Sequence, residues 1–282
     1  MARADRPQAL GQWRNAPLVF VLAQVRFPAQ PEGFTEKMQL LVCKQQPGRY
    51  LAAQATPIVH VSVELELGGV PKQNVVQTGM GYNIARSDGR MMVRVEPGSL
   101  TVAVNEYVDF DHLMAQWFPL IACLQEAGLQ GSVQRLGLRY VDFVIPAEDA
   151  APEDYLKEPW NQKATPEFPG AIGTPGMCVS LHDMEFPKGR MRLQYLRGFG
   201  QPSLPADLLG LLAPAPKSPP MGAASAVIDT DRWMEDHWVL EGDAIKGDFR
   251  QMHKDLAALF NTIISTRART EWKSNAATGV AS

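Results

Sequence analysis

The residues from Asn74 to Tyr107 read NVVQTGMGYNIARSDGRMMVRVEPGSLTVAVNEY, and this stretch decides the fold. It contains three extended runs, at residues 74–87, 90–96 and 99–107. Asp88-Gly89 and Pro97-Gly98 separate the runs, and such pairs are typical of tight turns between strands. The stretch therefore predicts an antiparallel meander.

A regular alternation just before the meander predicts one more strand within residues 57–67. Its apolar positions are Val59, Val61, Val63, Leu65 and Leu67. Polar residues stand between them, as in a strand with one buried face. Further out, residues 18–27 and 133–145 are rich in Val, Leu and Phe and predict two more strands.

Apolar residues at three- and four-residue steps predict three amphipathic helices. The first covers residues 34–44, and the second begins at Asp109 or Asp111 and ends near Gly128. Asp243 to about Thr270 forms the third and strongest, with Arg267 and Arg269 at its carboxyl end, where cations suit the helix dipole.

Strands in runs, rather than in strict alternation with helices, favour an α+β fold. We expect largely antiparallel sheet with helices packed on one face. The chain divides into two α+β halves, and the sequence leaves open whether they are related and whether they form two domains or one continuous sheet. The first half is 1–146 and the second is 177–282, with strands at 177–186, 190–199 and 224–230. A connector rich in Pro, Glu and Ala, 147–176, joins them.

Composition indicates a folded, cytoplasmic protein. The 282 residues include 27 Lys and Arg against 30 Asp and Glu, so the net charge of −3 argues against bulk binding of nucleic acid. Three well-separated cysteines favour a reducing compartment. The first 15 residues do not resemble a secretion signal, and the apolar runs are shorter than the roughly 20 residues of a membrane-spanning helix.

Catalytic motifs are absent from the sequence. It contains no Gly-x-Ser-x-Gly elbow, no Gly-Lys-Ser/Thr phosphate loop and no pair of histidines at helical zinc-binding spacing. The sequence predicts no cofactor. One alternative remains, a metal-dependent hydrolase that would use His182, Asp183, Asp229 and Asp231.

Alternation on the strand at 190–199 predicts one apolar and one cationic face. Lys188, Arg190 and Arg192 share the cationic face, and Arg135 and Arg139 of another strand could extend it. A solvated sheet face is the simpler expectation for these cations, and around Gly137 the simpler expectation is a bulge with an arginine tied to a carboxylate across the sheet. The alternative is a surface for an anionic partner, nucleic acid included.

Three segments resemble a sporadically distributed family of uncharacterised bacterial proteins of similar length. They are residues 15–19 (NAPLV), residues 135–142 (RLGLRYVD), and residues 253–260 followed by Glu271-Trp272. The Arg-x-Gly-Leu-Arg-Tyr segment is the most specific of them and includes Tyr140. The chain departs from the family at Asp142, where relatives usually carry Asn, and in the proline-rich segment after Gln201. The resemblance implies patchy inheritance, as for genes of mobile elements or defence modules, and it transfers no activity.

These observations predict a non-catalytic binding protein that engages a protein partner or a second copy of itself. The candidate binding residues are Arg135, Arg139, Tyr140, Trp160, Lys188, Arg190 and Arg192. Trp160 is included as an aromatic residue expected to be exposed. The metal-dependent hydrolase and a nucleic-acid-binding protein using Arg190 and Arg192 are the alternatives.

Overall fold

A computed structural model describes residues 15–45, 48–64, 72–160, 177–214, 222–240 and 243–273. Over these residues the protein has an α+β fold built on one antiparallel sheet of nine strands. The strands are β1 (Leu18–Arg26), β2 (Gln54–Glu64), β3 (Lys72–Ala85), β4 (Met91–Glu96), β5 (Ser99–Val104), β6 (Val133–Val144), β7 (Cys178–Glu185), β8 (Arg190–Phe199) and β9 (Ala224–Trp238). The predicted meander is confirmed as β3, β4 and β5.

The strand order is β2-β3-β4-β5-β1-β6-β9-β8-β7. The same kind of strand arrangement extends in both directions from the boundary between β1 and β6, which is called here the seam. On one side β1 is followed by β5, β4, β3 and β2. On the other side β6 is followed by β9, β8 and β7. Each set begins with its first strand and continues in reverse chain order, and both sets belong to one continuous sheet.

In the described part of the chain, four helices pack on one face of this sheet, called here the inner face. They are α1 (Phe34–Gln45), α2 (Phe110–Ala127), α3 (Ala244–Ile263) and α4 (Thr266–Lys273). The Asp109 carboxylate caps α2 by accepting a hydrogen bond from the His112 backbone N–H at 2.7 Å, and Gly128 ends the helix with φ +89°. Apolar side chains of the helices and the inner face form the main core.

The opposite face, called the outer face, carries a smaller second core at one end. The segment 201–214, with a short 3-10 turn at Ala206–Leu208, lies across the strands there. Its Leu204, Leu208 and Leu211 are buried against residues that include Phe20 and Phe143. Elsewhere the outer face carries mostly polar side chains, with the apolar Val179 and Leu181 exposed on β7.

Two elements differ from the sequence-based expectation. Strand β9 extends to Trp238 rather than ending near Thr230, and the long C-terminal helix divides into α3 and α4. The division falls where Ile264 forms a β-bridge with Leu156. The backbone N–H of Ser265 there donates to the Tyr155 carbonyl at 2.9 Å instead of continuing the helix. The side chains of residues 59–78 and residues 161–176 of the predicted connector lie outside the described part.

Among the described residues, none of the helices combines the length and apolar character that crossing a bilayer requires.

Candidate binding face

Strand alternation places the predicted arginines of β6 on the outer face. Leu136, Leu138 and Tyr140 enter the main core, so Arg135 and Arg139 point the other way. Register then brings Asp231 of β9 opposite Arg139, and Arg192 of β8 opposite Asp231. Residues from both halves of the chain therefore meet on one surface.

Arg139 is held by two carboxylates. Its Nε and Nη2 donate to the two oxygens of Asp229, both at 2.7 Å, and it also forms an ion pair with Asp207 of the 201–214 segment. Burial raises the pKa of Asp229, and the charge of Arg139 opposes that rise. Burial lowers the pKa of Arg139, but the hydrogen bonds and charges of the two carboxylates outweigh it and raise the pKa overall. Arg139 thus links β6 to β9 and to the 201–214 segment, in agreement with the expectation of an arginine bonded to a carboxylate across the sheet.

Beside this tie lies a polar cavity of about 310 Å³, close to the seam between β1 and β6. Gln24, Thr101 and Gly137 contribute to its lining, together with Leu208 and Leu211. The charged groups that line it are Arg26, Arg94, Glu96, Arg135, Arg139, Asp207 and Asp231. A larger pocket of about 550 Å³ within the 201–214 segment has no charged lining residue, so the polar chemistry belongs to the smaller cavity.

The lining of the cavity follows one cross-strand row. Arg94 pairs with Thr101, Thr101 with Gln24, and Gln24 with Gly137. Gln24 Nε2 donates to Thr101 Oγ1 at 2.9 Å, and its Oε1 accepts from Arg26 Nε at 2.8 Å. Hydrogen bonds within the row hold these polar side chains in place.

Each cation of the predicted β8 face has an acidic partner. Lys188 Nζ lies 3.1 Å from Asp236, Arg190 Nη2 lies 3.4 Å from Glu185, and Arg192 Nε lies 2.8 Å from Asp183. All three cations are half exposed, so each pair contributes little to stability. The surface around β8 is a mixture of charges rather than a positive stripe.

Two predicted binding residues do not reach the outer face. Tyr140 is fully buried among the inner-face residues, where its hydroxyl lies 3.0 Å from His253 Nδ1, because its strand position points toward the helices. Trp160 is only partly exposed and packs its ring against His182, with centroids 4.8 Å apart. The expectation of an exposed aromatic residue at position 160 is therefore corrected.

The four residues of the metal-site alternative are not brought together. His182 pairs with Leu193, whose side chain is in the main core, so it lies on the inner face. Asp183 and Asp229 lie on the outer face, each bonded to an arginine. Within the described ranges, no three His, Cys, Asp or Glu side chains are grouped to hold a metal ion.

Strand β7 forms one edge of the sheet and exposes apolar side chains. Val179 and Leu181 project from alternate positions and are 51% and 53% exposed, and Met177 just before them is 81% exposed. Within the part of the chain that the structure describes, β7 pairs only with β8. An apolar edge strand is a template for pairing with another chain.

Sequence reasoning missed Gln24, Arg26 and Thr101 as residues of this face. One signal was present: Gln24 and Arg26 are polar residues at alternate positions of the otherwise apolar β1. Their place opposite Gly137 and Arg135 depends on a strand pairing that periodicity does not reveal. No model of a known protein family matches the chain, and no curated protein matches it.

Proposed function

We propose that the chain is a non-catalytic cytoplasmic binding protein that associates with a protein partner through the β7 edge of its sheet. The partner would add an extended segment beside β7, so that main-chain hydrogen bonds give affinity and side chains give specificity. A second copy of the chain, or a product of the same mobile or defence module, would serve as such a partner.

The apolar edge is the observation that carries this proposal. Strands at sheet edges normally carry charges, prolines or covering elements that prevent pairing. Val179 and Leu181 instead present two half-exposed apolar side chains on the outer side of β7. Asp183 and Glu185 follow at the next alternate positions, so one end of the strand is apolar and the other is acidic. A complementary segment would carry apolar residues opposite the first end and polar residues opposite the second, where Asp183 and Glu185 already pair with Arg192 and Arg190.

The reactive groups of the described residues support a role without catalysis. His253 is packed face to face against Phe110, with ring centroids 4.4 Å apart, and burial lowers its pKa to about 4. Burial raises the pKa of the Cys43 and Cys123 thiols, which disfavours the reactive thiolate. All three cysteines are free thiols, which suits the proposed cytoplasmic location.

The two rival functions have less support. A metal-dependent hydrolase would have to gather His182 and Asp229 from opposite faces of the sheet. Nucleic-acid binding by Arg190 and Arg192 would have to displace Glu185 and Asp183 from them. Such binding would also weaken steeply with salt, and a titration at several salt concentrations measures that slope.

The test introduces positive charge on the exposed edge of β7. We expect the double variant Val179→Lys/Leu181→Lys to lose association, because edge lysines block strand addition. Leu40→Lys is the matched control, since Leu40 is 51% exposed on α1, away from this edge. Sedimentation of the purified protein measures self-association, and mass spectrometry after isolation at native expression levels measures binding to other chains.

The expected result is an associated species, or a fixed co-isolated chain, with the natural protein and Leu40→Lys but not with the edge variant. A natural protein that sediments as a monomer and isolates alone would refute the proposal. Association that survives both edge lysines would also refute it.

A further inference from the structure

The polar cavity of the outer face has two features that the fold does not require. One is a glycine in its lining, and the other is a set of three arginines, none of which forms a hydrogen bond to a carboxylate among the described residues. The cavity is independent of the β7 edge used in the proposed function.

Gly137 occupies a strand position at an energetic cost, because glycine has no side chain to pack there and weakens a strand. It does not have the positive φ that would favour glycine, and an added Cβ would meet only Gln24 Cβ, at an ordinary 3.9 Å. Neither backbone conformation nor close packing therefore requires glycine. The missing side chain instead leaves space in the cavity between Arg135 and Arg139.

Arg26 and Arg135 stand directly opposite each other on β1 and β6. Like charges at directly opposed positions destabilise a sheet. Among the described residues, the Arg26 guanidinium hydrogen-bonds to the neutral Gln24. Arg135 forms a long ion pair with Asp231, at 3.9 Å, which is beyond hydrogen-bond distance. The pair would gain from an anion placed between the two guanidinium groups.

Arg94 approaches the same cavity from β4 and also has neutral partners. Its Nε donates to Asn83 Oδ1 at 2.8 Å, and its Nη2 donates to the Gly210 carbonyl at 3.1 Å. Burial lowers the pKa of both Arg94 and Arg135, and the charges of Glu96 on Arg94 and of Asp231 and Glu235 on Arg135 oppose that shift without cancelling it, so these cations have lost solvation. By contrast, Asp207 and Asp229 already neutralise Arg139.

We propose that this cavity binds a small organic anion whose carboxylate or phosphoryl group lies between Arg26, Arg94 and Arg135. Guanidinium groups bind such oxyanions with paired, charge-assisted hydrogen bonds. Glu96 and Asp231 also line the cavity, so the ligand carries a hydrogen-bond donor, such as a hydroxyl group, beside its anionic group. The volume of about 310 Å³ is at the lower end of the usual range for ligand pockets, which favours a compact molecule.

Isothermal titration calorimetry at constant ionic strength tests the site with three probes: malate, succinate and inorganic phosphate. We expect saturable one-site binding of malate or phosphate, and weaker binding of succinate, which lacks the hydroxyl group of malate. Malate above phosphate identifies a carboxylate ligand, and phosphate above malate identifies a phosphoryl ligand.

Two variants and two matched controls locate the binding. Gly137→Val fills the cavity with a residue that suits a strand, and Arg135→Gln removes one cation, so each should weaken binding at least tenfold. Gly198→Val is the glycine control, since Gly198 lies in β8 outside the cavity, with open space around it. Arg250→Gln is the arginine control, since Arg250 is exposed on α3, away from the cavity. Both controls should bind as the natural protein does.

Absence of saturable binding with all three probes would overturn the proposal. Binding that is unchanged in Arg135→Gln would overturn it as well, even if Gly137→Val failed to fold. Weakening by the controls equal to that by the variants would place the binding elsewhere and would also overturn it.

Discussion

His253 should make the stability of the protein depend on pH in a way that a single substitution removes. The residue lies on α3, where its ring stacks on Phe110 and its Nδ1 is 3.0 Å from the Tyr140 hydroxyl. Burial lowers its pKa from 6.5 to about 4, and the charge of Asp111 opposes that shift only in part. The imidazole is therefore neutral in the folded protein at every pH near neutrality.

The direction of the effect follows from which state binds the proton. Between pH 6.5 and pH 4 the unfolded chain protonates at position 253 and the folded chain does not, so stability falls as the pH falls. From pH 7.5 to pH 5.0, a pKa of 6.5 unfolded against about 4 folded removes about 2 kcal/mol of unfolding free energy. Above pH 7.5 the contribution of this histidine to pH dependence vanishes.

The assay compares urea unfolding at pH 7.5 and 5.0 for the natural protein and His253→Phe. Phenylalanine keeps the ring against Phe110 and cannot be protonated, so the natural protein should lose about 2 kcal/mol more than the variant over this interval. Loss of the Tyr140 hydrogen bond affects the variant at both pH values and cancels in the comparison. His112→Gln is the control, because His112 is exposed on α2. Equal losses in the natural protein and His253→Phe would refute the reasoning, as would an NMR titration of His253 near pH 6.5.

Two further predictions concern stability measured by urea unfolding. Gly189→Ala should lower the free energy of unfolding by about 3 kcal/mol or more, since φ is +75° and the new Cβ would overlap the Trp233 carbonyl. Gly89→Ala, at φ +71° in open space, should lower it by only about 1 kcal/mol, and equal losses would refute the role assigned to the overlap. Arg197→Met should lower the free energy of unfolding by about 3–5 kcal/mol, because Glu153, only 6% exposed, would lose its ion-pair partner at 2.5 Å. The double variant Arg197→Met/Glu153→Met should recover most of that loss, and a double variant no more stable than the single one would contradict this account.

Local signals predicted most of the secondary structure. Asp109 and Gly128 mark the ends of α2 because capping is a contact within a few residues of chain. Asp88-Gly89 and Pro97-Gly98 locate the turns of the meander for the same reason. Periodicity also gave the inner and outer sides of β8, where Met191, Leu193 and Tyr195 are buried.

The remaining features, the end of β9 and the division of the long helix, depend on contacts between residues that are distant in the sequence. The sequence did not predict the full length of β9 because the charged Arg232 occupies an inner-face position and interrupts the apolar pattern. Arg232 is 2% exposed, and its Nε donates to Asp255 Oδ2 of α3 at 3.0 Å. The long helix divides at Ile264 and Ser265 because residues near Tyr155 pair with the backbone there. No local pattern specifies either partner.

The candidate site was predictable only as separate residues. Arg135 and Arg139 were recognised on one strand, but the sequence could not show that Asp229 neutralises Arg139 while Arg135 lacks a hydrogen-bonded carboxylate. Tyr140 was predicted as a binding residue because its aromatic ring and hydroxyl suit recognition, and its position in the strand places it in the main core. Neighbours across a sheet, rather than residue type, decide which arginine can bind an anion.

The pairing of β1 with β6 at the seam has a consequence for folding during translation. Strand β1 leaves the ribosome before both of its neighbours, and it can pair with β5 on one side while its other side has no partner until residues 133–144 are made. Until then a nascent chain carries an apolar strand, LVFVLAQVR, with an open edge, and such edges promote aggregation. We expect chains released before β6 to depend on chaperones for their solubility, so translation itself becomes the period of greatest risk for this fold.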